Sequence, residues 1–277
     1  MVGPVSIDRR GRQVHPASMS IRPNRRLFLS TGLGAALAPP AFAAPAEDLD
    51  VPYVPTPQDV VEGMLDLAGL KSGEHLIDLG SGDGRIPVAA AKRGATALGV
   101  EINPRLVSRA RSLAEMVGQA ERASFLRADL FTVPLREADV VTLYLLPDVN
   151  ARLRPKLLVE LSPGARVVSH AFDMGDWVPD AARSISDKNI YLWTIPAVAG
   201  GTWQLIHADG TVAMLEIQQR YNRIAGTLNG SAIADARLHG PAISFTANGT
   251  AYRGTVEERS IVSESTGGSG WQAQRME

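Results

Sequence analysis

Apolar residues between positions 51 and 196 recur at helical spacing in some segments and form short continuous runs in others. Helical spacing predicts amphipathic helices, and short apolar runs predict buried strands. Because the two patterns alternate along the chain, they favour a parallel sheet with helical crossovers on its faces. Five strands of such an α/β sheet are predicted, at residues 75–79, 96–102, 124–126, 139–146 and 166–172.

Glycine and proline mark the ends of the predicted helices. Thr56 is expected to be the N-cap of the first helix, with Pro57 at the first helical position and Gly69 at the end. Residues 173–190 are too few for a crossover helix and a further parallel strand. Residues 181–196 are therefore predicted to form an antiparallel hairpin at the edge of the sheet.

The composition changes after residue 198, where short alternating segments are separated by turn dipeptides such as Asn229-Gly230. This pattern predicts a small antiparallel β-meander or barrel over residues 199–277. The domain could bind a protein substrate, a glycan or a lipid, but a structural cap on the sheet edge is the favoured interpretation. Its predicted strands are at residues 202–207, 212–221, 223–228, 232–240, 242–247 and 250–258.

Charge is distributed unevenly along the 277 residues, whose formal net charge is -1. Residues 1–26 carry six arginines and one aspartate, which leaves 22 basic and 28 acidic residues in the rest of the chain. The net negative charge of the residues after position 26 argues against nucleic-acid binding, which depends on a basic face. The absence of cysteine excludes a thiolate metal site, and the five histidines lack metal-ligand spacing, so no metal is expected.

The N-terminal segment resembles an export signal. Arginines at 25–26 precede an uncharged run, residues 27–38, which is too short to cross a membrane as a helix. Residues 41–43 form an Ala-x-Ala-like cleavage site. A twin-arginine signal over residues 1–43 would place the protein in the periplasm with no membrane span remaining. The alternative is a basic arm on a cytoplasmic protein, and Met19 is an alternative start.

The segment IDLGSGDGR, residues 77–85, predicts a ligand-binding turn between a strand and a helix. Its glycines, Gly80, Gly82 and Gly84, are spaced G-x-G-x-G, whereas a dinucleotide fingerprint requires G-x-G-x-x-G. Arg85 occupies the place of the third glycine of that fingerprint. S-adenosylmethionine has no pyrophosphate, and the turn therefore favours it over NAD or FAD.

Acidic residues lie at the C-terminal ends of three of the predicted strands. Asp78 can meet the methionyl amino group, and Glu101 can accept hydrogen bonds from the ribose hydroxyls. Asp129 can accept from the adenine amine, while Leu130 or Phe131 packs on the ring. Ligands of open α/β sheets bind at these carboxyl ends of strands. The acids and the glycine turn together predict S-adenosylmethionine as the cofactor.

Segments between residues 51 and 196 resemble bacterial class I methyltransferases and, more distantly, the ATP synthase c-subunit lysine N-methyltransferases. They include PYVPTP, GVEINP and LSPGARVVSHAFDMGDW. The resemblance implies a doubly wound, Rossmann-like methyltransferase domain over residues 44–198 and a protein lysine as methyl acceptor. It also implies that the segment before the first helix folds over the cofactor, which would place Tyr53 and Thr56 at its methionyl end.

The acceptor is further restricted by residues 144–147, Tyr-Leu-Leu-Pro. Enzymes that methylate amide or adenine nitrogens usually carry Asn/Asp-Pro-Pro-aromatic there, so an amine or hydroxyl acceptor is favoured. Tyr53, Tyr144 and Asp173 are the candidate catalytic residues lining the acceptor channel. A small-molecule methyltransferase and a non-catalytic exported binding module are the alternatives.

The loop at the end of the fifth predicted strand, residues 170–177, leaves two interpretations open. Its acids and Trp177 could receive a cationic side chain through charge and cation–π contact. In the other interpretation, Trp177 fixes the loop to the core and His170 is a buried histidine with its hydrogen bonds satisfied.

Overall fold

The computed structural model describes residues 53–264 and 270–276. The described residues all lie within one compact unit that extends from Asp48 to Glu277. The predicted export signal, residues 1–43, lies outside the described residues. Within the described ranges, no helix is both long enough and apolar enough to cross a membrane.

The first half of the unit is a seven-stranded sheet with helices on both faces. Its helices are α1 (Gln58–Ala68), α2 (Arg85–Lys92), α3 (Pro104–Met116) and α4 (Pro147–Glu160). Its strands are β1 (His75–Leu79), β2 (Thr96–Glu101), β3 (Ala123–Arg127), β4 (Val140–Leu143), β5 (Arg166–His170), β6 (Ala181–Ile185) and β7 (Lys188–Thr194).

The strand order is β3-β2-β1-β4-β5-β7-β6, and the first five strands of the chain run parallel. β7 runs antiparallel to both β5 and β6, so the predicted edge hairpin is confirmed. Ser186 and Asp187 form its two-residue turn with positive φ angles of 47° and 62°, as the twist of a tight hairpin requires. The order reverses between β1 and β4, where doubly wound sheets bind their ligands.

Two predictions about local structure were wrong. Helix α1 begins at Gln58 with Pro57 as its N-cap, and Thr56 does not cap it because its hydroxyl is paired with His170. β4 ends at Leu143, although the apolar run continues to residue 146. Beyond the strand, Tyr144 and Leu145 of this run line the cavity described below.

The second half of the unit is a nine-stranded antiparallel sheet that nearly closes into a barrel. Its strand order is β11-β10-β9-β8-β16-β15-β14-β13-β12. The strands are β8 (Gly201–His207), β9 (Val212–Arg220), β10 (Arg223–Leu228), β11 (Ser231–Ala232), β12 (Ala234–His239), β13 (Ala242–Ala247), β14 (Thr250–Val256), β15 (Ser260–Ser263) and β16 (Trp271–Arg275).

The sequence predicted this antiparallel domain but missed β11, β15 and β16. The first two have two and four residues, which is too short to show a clear alternation. β16 alternates in burial, yet only Trp271 and Ala273 of its five residues are buried and the others are polar. Its pairing with β8 brings the end of the chain back to the first strand of the domain.

Candidate active site

The turn from β1 into α2 is held against the end of β2 by its backbone. The N–H groups of Gly80 and Ser81 both donate to the carbonyl of Val100, each at 2.9 Å. Gly82 has φ +53°, and a Cβ there would lie 2.5 Å from the ring of Tyr53. The glycine therefore allows both the left-handed turn and the close approach of the segment that precedes α1.

Glu101, at the end of β2, is oriented by backbone hydrogen bonds. Its Oε2 accepts from the N–H of Gly82 at 3.0 Å, and its Oε1 accepts from the N–H of Asn103 at 2.9 Å. The side chain is largely buried but lines the cavity beside the turn. Each carboxylate oxygen keeps a free lone pair, so the group can accept further hydrogen bonds from a ligand.

Asp78, in β1, is almost fully buried at the base of the same cavity. Its Oδ1 accepts a hydrogen bond from the Thr142 hydroxyl at 2.7 Å. Burial, together with the nearby carboxylates of Glu101 and Asp83, raises the pKa of Asp78 to about 7, although the Thr142 hydrogen bond opposes this shift. A cation bound beside Asp78 would favour its ionised form.

The opposite end of the cavity is formed by the loop after β3. Asp129 is exposed, and its Oδ1 accepts from the N–H of Phe131 at 2.9 Å, which fixes the turn. The Arg152 guanidinium lies 4.6 Å from the centre of the Phe131 ring. Leu130 and Phe131 both line the cavity and supply an apolar wall next to an acid.

The segment before α1 is attached to the glycine turn by a chain of polar contacts. Tyr53 lies beside Asp83, and burial together with that carboxylate raises the pKa of Tyr53. Arg85 donates to both oxygens of Asp83, at 2.9 and 2.7 Å, and to the backbone carbonyl of Thr56 at 2.7 Å. This arrangement places residues 53–56 along one side of the cavity, as the resemblance implied.

A second contact holds Thr56 from the other side. Its hydroxyl is 3.2 Å from Nδ1 of His170, whose ring centre lies 3.9 Å from that of Tyr144. Burial, with a smaller contribution from the charge of Lys188, lowers the pKa of His170 to about 4. His170 is therefore neutral at physiological pH. Its Nε2 is buried without a partner among the described residues, unlike the fully satisfied histidine of the second interpretation.

The cavity brings together nearly all the predicted site residues. Gly84 and Asp173 are the two that do not line it. Gly84 packs on Ala110 and Phe125, while Asp173 accepts from the N–H of Gly175 in the loop after β5. The predicted residues that line the cavity are Tyr53, Thr56, Asp78, Gly80, Gly82, Glu101, Asp129, Leu130 and Tyr144.

Known proteins resemble this chain in the region that forms the site. A family model described as the ANTKMT methyltransferase domain matches residues 78–181. A protein-lysine N-methyltransferase of Saccharolobus islandicus is 44% identical over 151 residues, which are 52% of this chain and 94% of the relative. The chain belongs to the ANTKMT methyltransferase family. It is therefore a class I enzyme that uses S-adenosylmethionine.

Two further proteins are similar to this member of the ANTKMT family, and each is matched over most of its own length. The ATP synthase c-subunit lysine N-methyltransferase of Mus musculus is 33% identical over 72% of this chain and 84% of the relative. A crystal structure described as an RNA methyltransferase from Salinibacter ruber, in complex with S-adenosyl-L-homocysteine, is 51% identical. It covers 51% of this chain and 94% of that chain, with a TM-score of 0.51.

The residues of this ANTKMT-family site fit S-adenosylmethionine. The glycine turn leaves space in the cavity that a Cβ atom would occupy. A Cβ at Gly80, for example, would lie 2.9 Å from the side chain of Leu145. Ser81 also lines the cavity, and its buried hydroxyl has no partner among the described residues. A polar ligand would satisfy that hydroxyl and would meet the carboxyl groups at both ends.

Asp83, Arg85 and Ser81 are site residues that the sequence analysis did not assign. Asp83 and Ser81 lie within residues 77–85, the segment that predicted the turn, so the sequence could have identified both as site residues. The salt bridge between Asp83 and Arg85 could not be predicted because it also depends on where Thr56 folds.

We predict that cofactor affinity depends on the ionisation of Asp78. With a pKa of about 7 in the free protein, the carboxyl is mainly neutral at pH 6 and mainly ionised at pH 7.5. If it meets the methionyl ammonium, the affinity should rise about tenfold over that range, because binding at the lower pH must first remove a proton. Calorimetric titrations across the range measure this rise. The Asp78→Asn variant should bind more weakly and show a flat profile, and a flat profile in the wild type would contradict the assignment.

Proposed function

We propose that the enzyme transfers the methyl group of S-adenosylmethionine to the side-chain nitrogen of a lysine in a protein. The acidity of the cavity is the observation that carries this proposal. Four carboxyl residues line it against a single arginine, Arg85, which is itself bound to Asp83. Such a cavity favours cationic ligands, and both the sulfonium cofactor and a lysine side chain are cations.

The relatives support a protein acceptor. Those from Saccharolobus islandicus and Mus musculus are named as lysine N-methyltransferases, and a further relative from Mus musculus, 42% identical over 162 residues, is named for the adenine nucleotide translocase. The Salinibacter ruber protein is described as an RNA methyltransferase. The excess of acidic over basic residues after position 26 argues against RNA for this chain.

Methyl transfer requires an unprotonated acceptor nitrogen held in line with the reacting bond. The bound cofactor supplies an activated methyl group on sulfur. Tyr53 and Tyr144 line the cavity, and we assign them to the acceptor because their hydroxyl oxygens can accept a hydrogen bond from an amine. Burial between these rings would lower the pKa of a lysine ammonium and favour its neutral form. Burial and Asp83 raise the pKa of Tyr53, so its hydroxyl keeps its own proton.

We predict that methyl-labelled cofactor will label protein rather than RNA in a cell extract. Protease should release the label as methyl-lysine, and RNase should release none. In Gly82→Ala, the added Cβ would meet the Tyr53 ring, so labelling should fall by about tenfold or more. Gly249→Ala is the matched control, because that glycine also has a positive φ but no atom within 4 Å of the added Cβ. Label released by RNase would support RNA as the acceptor and contradict the proposal.

We further propose that the protein is exported through its twin arginines. Replacing them together, as Arg25→Lys with Arg26→Lys, should retain the protein in the cytoplasm of a bacterium that has the twin-arginine pathway. Arg9→Lys with Arg10→Lys is the matched control, since it changes the other adjacent pair of arginines. Immunoblots of periplasmic and cytoplasmic fractions measure the outcome. An unchanged distribution in the first variant would contradict export by this route.

A further inference from the structure

The antiparallel barrel contacts the methyltransferase sheet at the loop that follows β5. The contact includes Arg220, the last residue of β9, and residues 221–222 of the turn before β10; we call residues 220–222 the Tyr221 turn. It lies against residues 172–180, which we call the β5 loop. Neither the sequence motifs nor the cofactor site explains why these two segments meet.

Aromatic packing forms the centre of this contact. The ring of Tyr221 stacks on Trp177 with centres 5.8 Å apart and an interplanar angle of 26°. The guanidinium of Arg154, from α4, lies 5.1 Å from the Tyr221 ring centre. Trp177 is fully buried and its ring is also 5.9 Å from that of Trp193. Trp177 therefore fixes the loop to the core, and it is not exposed to receive a cationic side chain.

Asp176 adds a polar connection around the stacked rings. Its carboxylate is paired with Arg220 of the turn and with Arg154 of α4, the latter at 2.6 Å. The Tyr221 hydroxyl donates to the same carboxylate at 3.3 Å. The Arg220 hydrogen bond, assisted by Arg154, lowers the pKa of Asp176. One carboxylate of the β5 loop is thus bound by both halves of the unit.

The Tyr221 turn is itself held in a defined shape. Tyr221 has φ +56°, a left-handed conformation that is unfavourable for a residue with a side chain. The side chain of Gln219 donates to the carbonyls of Tyr221 and Ala197, at 2.8 and 2.9 Å. Asn222 donates to the carboxylate of Asp180 at 2.8 Å, which extends the contact to the end of the loop. A positive φ at this position is what the two-residue turn between β9 and β10 requires, and these hydrogen bonds fix the turn against the loop.

The β5 loop in turn lies next to the acceptor side of the cavity. Asn150 is fully buried in α4 and donates to the carbonyls of Phe172 and Asp173, at 3.4 and 3.2 Å. Its neighbour Val149 lines the cavity. Just before the loop, His170 at the end of β5 packs on Tyr144, which lines the same cavity. A shift of the loop would therefore reach the wall that we assign to the acceptor.

We propose that the Tyr221 turn positions the β5 loop for recognition of the acceptor protein, so that the barrel acts as part of the substrate-binding machinery. Tyr221 is a positioning residue, since it acts through Trp177 and Asp176. The kinetic part of this inference, a change in the KM for the acceptor, rests on the proposed lysine methylation. The alternative is that the barrel only stabilises the edge of the sheet.

The Tyr221→Ala variant removes the stacked ring and the hydroxyl. We expect the KM for poly-L-lysine to rise about fivefold to tenfold, the loss that corresponds to one aromatic pair with its hydrogen bond, while the cofactor Kd changes less than about twofold. Hydrogen exchange of the amides of residues 172–180 should accelerate. Tyr221→Phe keeps the ring and should restore most of the wild-type KM and exchange protection.

The Tyr252→Leu variant controls for a general loss of stability. Tyr252 is buried in the barrel, stacked 4.8 Å from Phe245, and has no contact with the β5 loop among those found for the described residues. It should lower the Tm without changing the KM or the exchange of residues 172–180. A Tyr221→Ala protein with a lower Tm but unchanged KM and exchange would overturn the proposal. If the wild type methylates no lysine, the proposed function fails, and the exchange data still decide whether the turn orders the loop.

Discussion

The hydrogen bonds of Glu101 join the glycine turn to the end of β2, and the geometry of the cavity depends on them. Gly82 and Asn103 donate to this one carboxylate, while Gly80 and Ser81 donate to the carbonyl of the preceding residue. The turn therefore cannot move away from β2 without leaving the buried N–H groups of Ser81 and Gly82 unpaired, which costs about 1–3 kcal/mol for each group. A rigid turn of this kind presents its acids to a ligand in a fixed arrangement.

The parallel sheet and the placement of the three acids at one edge of it could be predicted because each depends on a local pattern. Asp78, Glu101 and Asp129 follow apolar runs, and strand ends of a parallel sheet lie at the same edge. The role of Thr56 could not be predicted, because a Thr-Pro pair is typical of a helix start and the competing partner, His170, is 114 residues away. At Thr56, the long-range contact with His170 outweighs the local preference for a helix cap.

The barrel also has long-range contacts that local sequence patterns do not predict. Its alternating strands and Asn-Gly turns were visible in the sequence, but its contact with the β5 loop could not be predicted, because that contact joins Asp176 and Arg220 across 44 residues. Leu215 and Ile217, at alternate positions of β9, are both buried within the barrel core. Tyr221 is only partly buried and packs against the methyltransferase core instead, where it joins the two halves of the unit.

Calorimetric titration of S-adenosylmethionine tests the central claim, that the acid at the end of β2 holds the cofactor. The wild type should bind with micromolar affinity, and Glu101→Gln should bind about 100-fold more weakly, because hydrogen bonds to a charged group contribute about 1.5–3 kcal/mol each. Glu115→Gln, an exposed acid on α3, should bind like the wild type. Equal affinities of the wild type and Glu101→Gln, or a wild type that does not bind, would contradict the account.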